Sequence, residues 1–279
     1  MLTLPQLDHT VINVRYEMNA AEAAFRDLGF HVTDRGFHTL GSINHLMMLG
    51  TDYVELLGLP KDAENTTSGR PDIETAPVGI NGLVFKTMNA DETFAHLLQI
   101  GMAADPPKSF SRPVDLPDGR RDARFRTVTV RGDVFPGGRV YFCEHGTPDL
   151  VWRPEWQKHG NGARETREFV VASEEFEREA NAMAQLVGGP VEGRGENLSV
   201  AIVGAAISFL SPSAYRTRYG ALASDLSGRA SIFGAIVIGV DNLSNVREMA
   251  SAMDLSVNAE SDRVVIRQPE FDCVLEFVA

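Results

Sequence analysis

The stretch Leu7-Asp8-His9-Thr10-Val11-Ile12-Asn13-Val14, followed by an alanine-rich segment, Arg26-Asp27-Leu28-Gly29-Phe30 and Tyr53-Val54-Glu55-Leu56-Leu57, decides the fold of this chain. Residues 7–14 are apolar with polar residues near either end and predict a strand. Ala20, Ala21, Ala23, Ala24, Phe25 and Leu28 make an apolar stripe at helical spacing, and Gly29 stops it. Further strands are predicted at residues 31–33, 43–49 and 53–57, with Gly50-Thr51-Asp52 as a turn. The order is β-α-β-β-β. A histidine on the first strand and a glutamate on the last can converge inside a curved sheet, so His9 and Glu55 form half of a candidate metal site.

The same plan recurs along the chain. Residues 82–87 predict a strand, 90–100 a helix closed by Gly101, and 125–131 with 138–143 a long hairpin. Aligning Leu28-Gly29-Phe30 with Ile100-Gly101-Met102 sets Asn81 opposite His9. Aligning the last strands sets Cys143 opposite Glu55, and a slip of one residue would turn Glu144 inward instead. A third unit starts with a strand at 169–172 and a helix at 174–187, and ends in strands at 198–203 and 206–210. A fourth has strands at 232–240, 263–266 and 273–278 around a helix near 245–253. Repeats at this spacing predict an α+β chain of four βαβββ modules, paired into two cupped mixed sheets. The expected division is an N-terminal lobe over 1–163 that holds the site, and a C-terminal lobe over 164–279. Residues 152–164, with Pro154, Gly160 and Gly162, are the expected linker.

Composition narrows the class of function. The chain has 279 residues, 43% hydrophobic and 23% charged, which is ordinary for a globular protein of two lobes. Its formal charge of −12 opposes nucleic acid and anionic membrane as partners. No apolar run reaches the roughly 18 residues that span a bilayer, and residues 1–5 show no signal-peptide pattern. Two isolated cysteines, Cys143 and Cys273, suit a reducing compartment, so a cytoplasmic protein is expected, with a single long-range disulfide as the alternative. Gly-x-Ser-x-Gly, the phosphate-binding glycine loop and Cys-x-x-Cys are all missing.

The chain resembles the glyoxalase-like domain family of the vicinal oxygen chelate superfamily, which includes glyoxalases, bleomycin-resistance proteins and extradiol dioxygenases. The resemblance rests on Leu7-Asp8-His9 through Gly29-Phe30, on His38, on Gly41-Ser42-Ile43-Asn44 and on Tyr53-Val54-Glu55-Leu56. It rests as well on His145-Gly146-Thr147-Pro148-Asp149-Leu150-Val151-Trp152-Arg153-Pro154 with His159-Gly160-Asn161-Gly162-Ala163. It covers the first 165 residues, and beyond them only the shape of the repeat is shared. The resemblance implies a divalent metal at up to four positions, here His9, Glu55, Asn81 and Cys143 or Glu144, of which only His9 and Glu55 are usual ligand types. It also singles out Asn44, on the third strand, to bind substrate.

A catalytic metal needs about three protein ligands and an open position. His145 is the natural third, because it lies two residues beyond Cys143 on the same strand face. Two imidazoles and a carboxylate would suit iron, manganese, zinc or nickel. Without metal, Glu55 among apolar neighbours could act as a general base beside a carbonyl. The competing reading makes His9 a hydrogen-bonded strand histidine and Glu55 a solvent-facing carboxylate. His159 and Asn161, in a glycine-flanked loop after Trp152 and Trp156, read either as a lid or pocket rim, with His159 catalytic and Trp152 and Asn161 touching substrate, or as plain loop residues. His38 is read as structural, and His31 and His96 as incidental. Arg120, Arg121, Arg124, Arg126, Arg131 and Arg139 could bind an anionic substrate or simply pair with Asp118, Asp122 and Asp133.

The first expectation is a metal-dependent lyase or dioxygenase acting on a small oxygen-rich molecule. The second is a metal-free cup that sequesters small molecules. The second pair of units, which lacks histidine, reads as a scaffold or dimer-forming lobe, with a homodimer allowed.

Overall fold

The computed structural model describes residues 5–61, 70–116, 119–253 and 255–279. The first unit is β1 (Leu7–Arg15), α1 (Met18–Asp27), β2 (Gly36–Phe37), β3 (Ile43–Met48) and β4 (Tyr53–Gly58). A short α2 (Pro71–Glu74) leads into β5 (Gly79–Lys86), α3 (Ala90–Gln99), β6 (Lys108–Leu116), β7 (Gly119–Thr129) and β8 (Arg139–His145). The third unit is β9 (Ala163–Ser173), α4 (Phe176–Val187), β10 (Val191–Arg194), β11 (Asn197–Ile202) and β12 (Ala205–Leu210). After α5 (Pro212–Tyr219) come β13 (Ser231–Val240), α6 (Leu243–Ala252), β14 (Val257–Ala259), β15 (Arg263–Gln268) and β16 (Cys273–Val278).

The four units pair into two mixed eight-stranded sheets, ordered β2-β3-β4-β1-β5-β8-β7-β6 and β10-β11-β12-β9-β13-β16-β15-β14. In each sheet two parallel pairs, β1 with β4 and β5 with β8 in the first, meet along an antiparallel seam of the two opening strands. The opening strands are covered on both faces; β13 accordingly reads as a nearly continuous apolar run, whereas β1 buries Asp8, His9, Thr10 and Asn13 among its apolar residues. The largest apolar cluster lies outside the cups, where α1, α3, α4 and α6 bury Phe25, Leu97, Met183 and Val246 against outward strand residues such as Ile12, Phe85, Phe169 and Phe277. Phe30 and Phe277 approach to 6.2 Å and join the two halves through this layer.

The cups differ inside. The second is filled by α5, whose Tyr215 and Tyr219 are fully buried in its apolar interior. Ser211 caps that helix by accepting from the Ala214 N–H, and Pro212 occupies its first turn. A Cβ on Gly234 of β13 would come within 2.6 Å of the Tyr215 ring, so glycine is what admits the plug. The first cup has no such plug and keeps a cavity of about 540 Å³.

Three local expectations change. Residues 31–33 form no strand; Leu46 donates its N–H to Thr33 Oγ1 and accepts from the Thr33 N–H, so a side chain replaces one rung of the ladder. β6 is an additional strand; its Pro113 is tolerated because β6 ends the sheet and has one free edge. The hairpin strands run longer than expected, β7 reaching back to Gly119 and β8 on to His145. Among the described residues no helix is long and apolar enough to cross a membrane.

Candidate functional site

The site begins with an irregularity in β1. Leu7 pairs with Phe85 and His9 with Val84, so Asp8 is an extra residue in the ladder. Such a bulge breaks the alternation of side chains. Leu7 faces the outer core, whereas Asp8 and His9, though adjacent, meet through side chains at 2.7 Å. Asp8 Oδ2 also meets His145 Nε2 at 3.0 Å. Burial would raise the Asp8 pKa, but the charge and hydrogen bond of His145, then those of His9, hold it well below the usual carboxylate range. An ionised Asp8 accepts from both imidazoles, so His9 carries a proton on Nδ1 and turns Nε2 toward the cavity.

Nε2 of His9 faces the cavity, 3.6 Å from Glu55 Oε2 and 3.2 Å from the Tyr141 hydroxyl. The Tyr53 ring stacks on the His9 imidazole at 4.5 Å. Burial, reinforced by nearby acidic groups, keeps both phenols protonated; for Tyr141, Arg139 opposes the shift without reversing it. The Tyr141 hydroxyl therefore keeps its proton beside His9 Nε2. Glu55 is buried, and its Oε1 accepts from Asn44 Nδ2 at 2.6 Å. Asn44 Oδ1 is buried with no partner. A Cβ on Gly36 would lie 2.2 Å from that oxygen, so glycine at 36 makes the room Asn44 occupies.

Three arginines, Arg70, Arg112 and Arg139, also line the cavity. Arg70 chelates Asp72 through Nε and Nη2 and donates to Ser42. Arg139 donates to Asn81 and to the same Asp72, while its Nη2 is buried without a partner. Arg112, on β6, is 6% exposed and lines the cavity. No hydrogen bond or ion pair joins its guanidinium to another described residue. Phe110 precedes it on the same strand face and stacks on Phe125 at 5.2 Å. His38 also lines the cavity; burial, with Arg112 and Arg70 adding to it against Glu55, brings its pKa down to about 4, so it is neutral at pH 7.

The residues singled out by sequence fall into three groups. His9, Glu55 and Asn44 converge in the cavity. Cys143 also faces it, and burial holds its thiol protonated. Glu144 points away and accepts from the Ala90 N–H at the start of α3, which settles the register of β8. His145 turns to Asp8 beneath His9, under Trp152, whose indole lies 6.0 Å from His145 and 5.7 Å from Tyr53. Asp8, Cys143 and His145 bring their ligand atoms within 4.8 Å of one another, a candidate metal-binding triad.

His159 and Asn161 act as pins away from the cavity. His159 Nδ1 accepts from the His31 N–H, and Nε2 donates to the Met48 carbonyl. Burial lowers the His159 pKa, in keeping with this neutral tautomer. Asn161, fully buried, donates to the Leu28 carbonyl and accepts from the Ala163 N–H. Asn81 serves Arg139. Of the six arginines, only Arg139 lines the cavity. Arg126 pairs with Asp91 and Arg131 with Asp133, while Asp118 lies outside the described residues.

Sequence reading passed over Asp8, Tyr141, Arg70 and Arg112. The alternation Lys108-x-Phe110-x-Arg112-x-Val114 is the signal that would have found Arg112.

No protein with a curated description matches the chain in sequence. Among solved structures, a hypothetical protein from Staphylococcus aureus superposes with a TM-score of 0.69 at 10% identity, covering 98% of this chain and 99% of that one. A mutant of 4-hydroxymandelate synthase from Streptomyces coelicolor gives 0.59 at 13% identity, over 99% and 92% of the two chains. A xylose isomerase-like TIM barrel/4-hydroxyphenylpyruvate dioxygenase fusion protein also gives 0.59, at 11% identity, with 99% of this chain on 49% of that one. At these identities the likeness is one of fold. The glyoxalase-like domain model matches residues 7–187, well over half of the sequence. With its paired βαβββ units around a cup, the chain belongs to the glyoxalase-like domain family of the vicinal oxygen chelate superfamily.

Proposed function

We propose that the first cup is an active site that moves a proton on a small oxygen-rich substrate, with Glu55 as the base and His9 beside it. The observation that carries this reading is the convergence of Glu55 Oε2 and His9 Nε2, 3.6 Å apart, in a cavity of about 540 Å³. In the step Glu55 serves, a substrate C–H bond next to a carbonyl breaks, the proton passes to the carboxylate, and the electron pair moves to the carbonyl oxygen. The protonated Tyr141 hydroxyl, on the same wall, is the donor for that oxygen. Asn44 holds Glu55 by its amide N–H, so its free Oδ1 accepts from a substrate hydroxyl rather than donating to a carbonyl. Trp152 and His145 support His9 from beneath and do not touch substrate.

The residues also fit a divalent ion such as iron, manganese, zinc or nickel. His9 Nε2 is an imidazole donor backed by a carboxylate, Glu55 supplies an oxygen, and the buried Asn44 Oδ1 has no partner. Bound there, an ion would polarise vicinal substrate oxygens as a Lewis acid. The triad of Asp8, Cys143 and His145 serves this reading less well, because Asp8 Oδ2 already accepts from both imidazoles. The second reading, a metal-free sequestering cup, is favoured by the engagement of His145 with Asp8, which leaves His9 and Glu55 as the pair of conventional ligands that meet in the cavity.

The test is deuterium incorporation from D₂O into a panel of small hydroxy and oxo compounds, with elemental analysis of the same preparations. Glu55→Gln should lower exchange by about 100-fold or more. Exchange that is equal in both proteins removes Glu55 as the base. About one transition metal per chain, lost with Glu55→Gln, establishes the chelate form. Ligand-dependent stabilisation under chelator, without exchange, establishes the sequestering form.

A further inference from the structure

Near the Asn44–Glu55 pair, on β6, the cavity contains a cation that the proton-transfer reading does not use. Arg112 is 6% exposed, so its guanidinium is withdrawn from bulk water. The other two cavity arginines share Asp72, which neutralises part of their charge and fixes their forks. Arg112 has no such carboxylate among the described residues. A buried guanidinium costs free energy unless its N–H groups find acceptors. Glu55 acts on Arg112 through space without a hydrogen bond or ion pair to it, and Asn44 and His9 hold its carboxylate instead. Two further buried polar atoms around the cavity lack partners, Arg139 Nη2 and Asn44 Oδ1.

We propose that Arg112 is the docking residue for an oxyanion group, a carboxylate or a phosphate, on the ligand of this cavity. The assignment rests on reading the first cup as a small-molecule site and names the chemical class it takes. The planar fork of Arg112 offers two parallel N–H donors to such a group, a match that amides and alcohols do not make. β6 presents Phe110 on the same face as Arg112, stacked on Phe125, so the apolar body of the ligand lies against this pair. The free Asn44 oxygen then receives an O–H or N–H of the ligand. The ligand class is a small organic acid or phosphate ester with a flat apolar portion and one hydrogen-bond donor. The six hairpin arginines considered from sequence play no part in this beyond Arg139. The guanidinium that matters sits one strand earlier.

The test compares benzoate, phenyl phosphate and benzamide, which share a ring and differ in the group offered to Arg112, by calorimetry on the full chain. At least one of the two anions is expected to bind about tenfold or more tightly than benzamide, since a hydrogen bond to a charged group carries that difference. Whichever anion binds more tightly assigns the group as carboxylate or phosphate. Arg112→Gln should abolish the preference, and Arg112→Lys, which keeps the charge and most of the stem, should retain part of it. Equal binding of the anions and benzamide by the wild-type chain overturns the proposal, as does a preference that survives Arg112→Gln. The wild-type comparison stands even if Arg112→Gln fails to fold. Glu55→Gln separates the two readings. Loss of exchange with the anion preference intact supports both, and loss of exchange without any anion preference overturns only the role of Arg112. Unchanged exchange with the preference intact overturns only the role of Glu55.

Discussion

Replacing Asp8 by Asn tests whether the bulge in β1 builds a charge-dependent site. Asp8 is fully buried, and its Oδ2 accepts from His9 at 2.7 Å and from His145 at 3.0 Å. An asparagine of the same shape can keep one acceptor, and its amide N–H₂ then faces an imidazole N–H. The change removes the charge from two hydrogen bonds, each worth about 1.5–3 kcal/mol. A loss of about 3–5 kcal/mol follows, the usual result of breaking a buried pair by removing one partner. At about 2 °C per kcal/mol for a chain of this size, the melting temperature should fall by about 6–10 °C. The pH dependence gives a sharper check. The Asp8 pKa is depressed in the folded state, so its contribution is complete above the ordinary aspartate value of 3.8 and is lost as pH falls below it. The difference between wild type and Asp8→Asn should therefore be constant from pH 5 to 7 and smaller by about 1 kcal/mol at pH 3. Urea denaturation at pH 7, 5 and 3 measures this. A loss under about 1 kcal/mol at pH 7, or a difference that grows on acidification, would refute the reasoning.

Asp52 has the opposite sign. Burial, opposed by hydrogen bonds from Thr166 and Thr51, raises its pKa from 3.8 to about 6. Its contribution to stability therefore falls by about 3 kcal/mol as pH rises through that window. Asp52→Asn should flatten the melting-temperature profile between pH 4 and 6, and an unchanged slope would count against the shift. Gly36→Ala inserts a Cβ 2.2 Å from Asn44 Oδ1. Displacing that amide should cost about 1–3 kcal/mol of stability and weaken anion binding in the calorimetric assay, whereas unchanged binding would show that Asn44 is free to move. Tyr215→Ala empties the second cup at a cost of about 3–5 kcal/mol. Exchange activity per folded molecule should not change, and its loss would show that the second lobe takes part in the site.

Much of the architecture was legible because it is periodic. Strand, helix and glycine recur in β1–α1 and β5–α3, and an apolar strand flanked on both faces is a local signal. The direction of Cys143 also followed from alternation along β8. Where alternation breaks, reading by parity fails. Asp8 should face away from His9, and only the unequal pairing with β5 turns both inward. β6 was hidden by Pro106, Pro107 and Pro113, residues that argue against a strand unless it lies at an edge. α5 carried readable signals in Ser211 and Pro212, and its role as a plug depended on Gly234, far along the chain.

His159 and Asn161 show the limit from the other side. Two polar residues between glycines look like a rim when read alone. Their partners are the backbone atoms of Met48, His31 and Leu28, more than 100 residues away. His145 was read as a third ligand because it shares a face with Cys143, and its contact with Asp8 at 3.0 Å could not be read from that alternation. Sequence alone determined the βαβββ repeat, the pairing of units and the meeting of His9 with Glu55, since each follows from local hydrophobic periodicity and from which strand ends a unit brings together. Only the tertiary structure decided how the second cup is filled, which imidazole nitrogen faces the cavity and which arginine makes no hydrogen bond to a carboxylate. Those outcomes depend on hydrogen-bond competition and packing among residues distant in sequence, and a buried polar atom takes whatever partner the fold brings within about 3 Å.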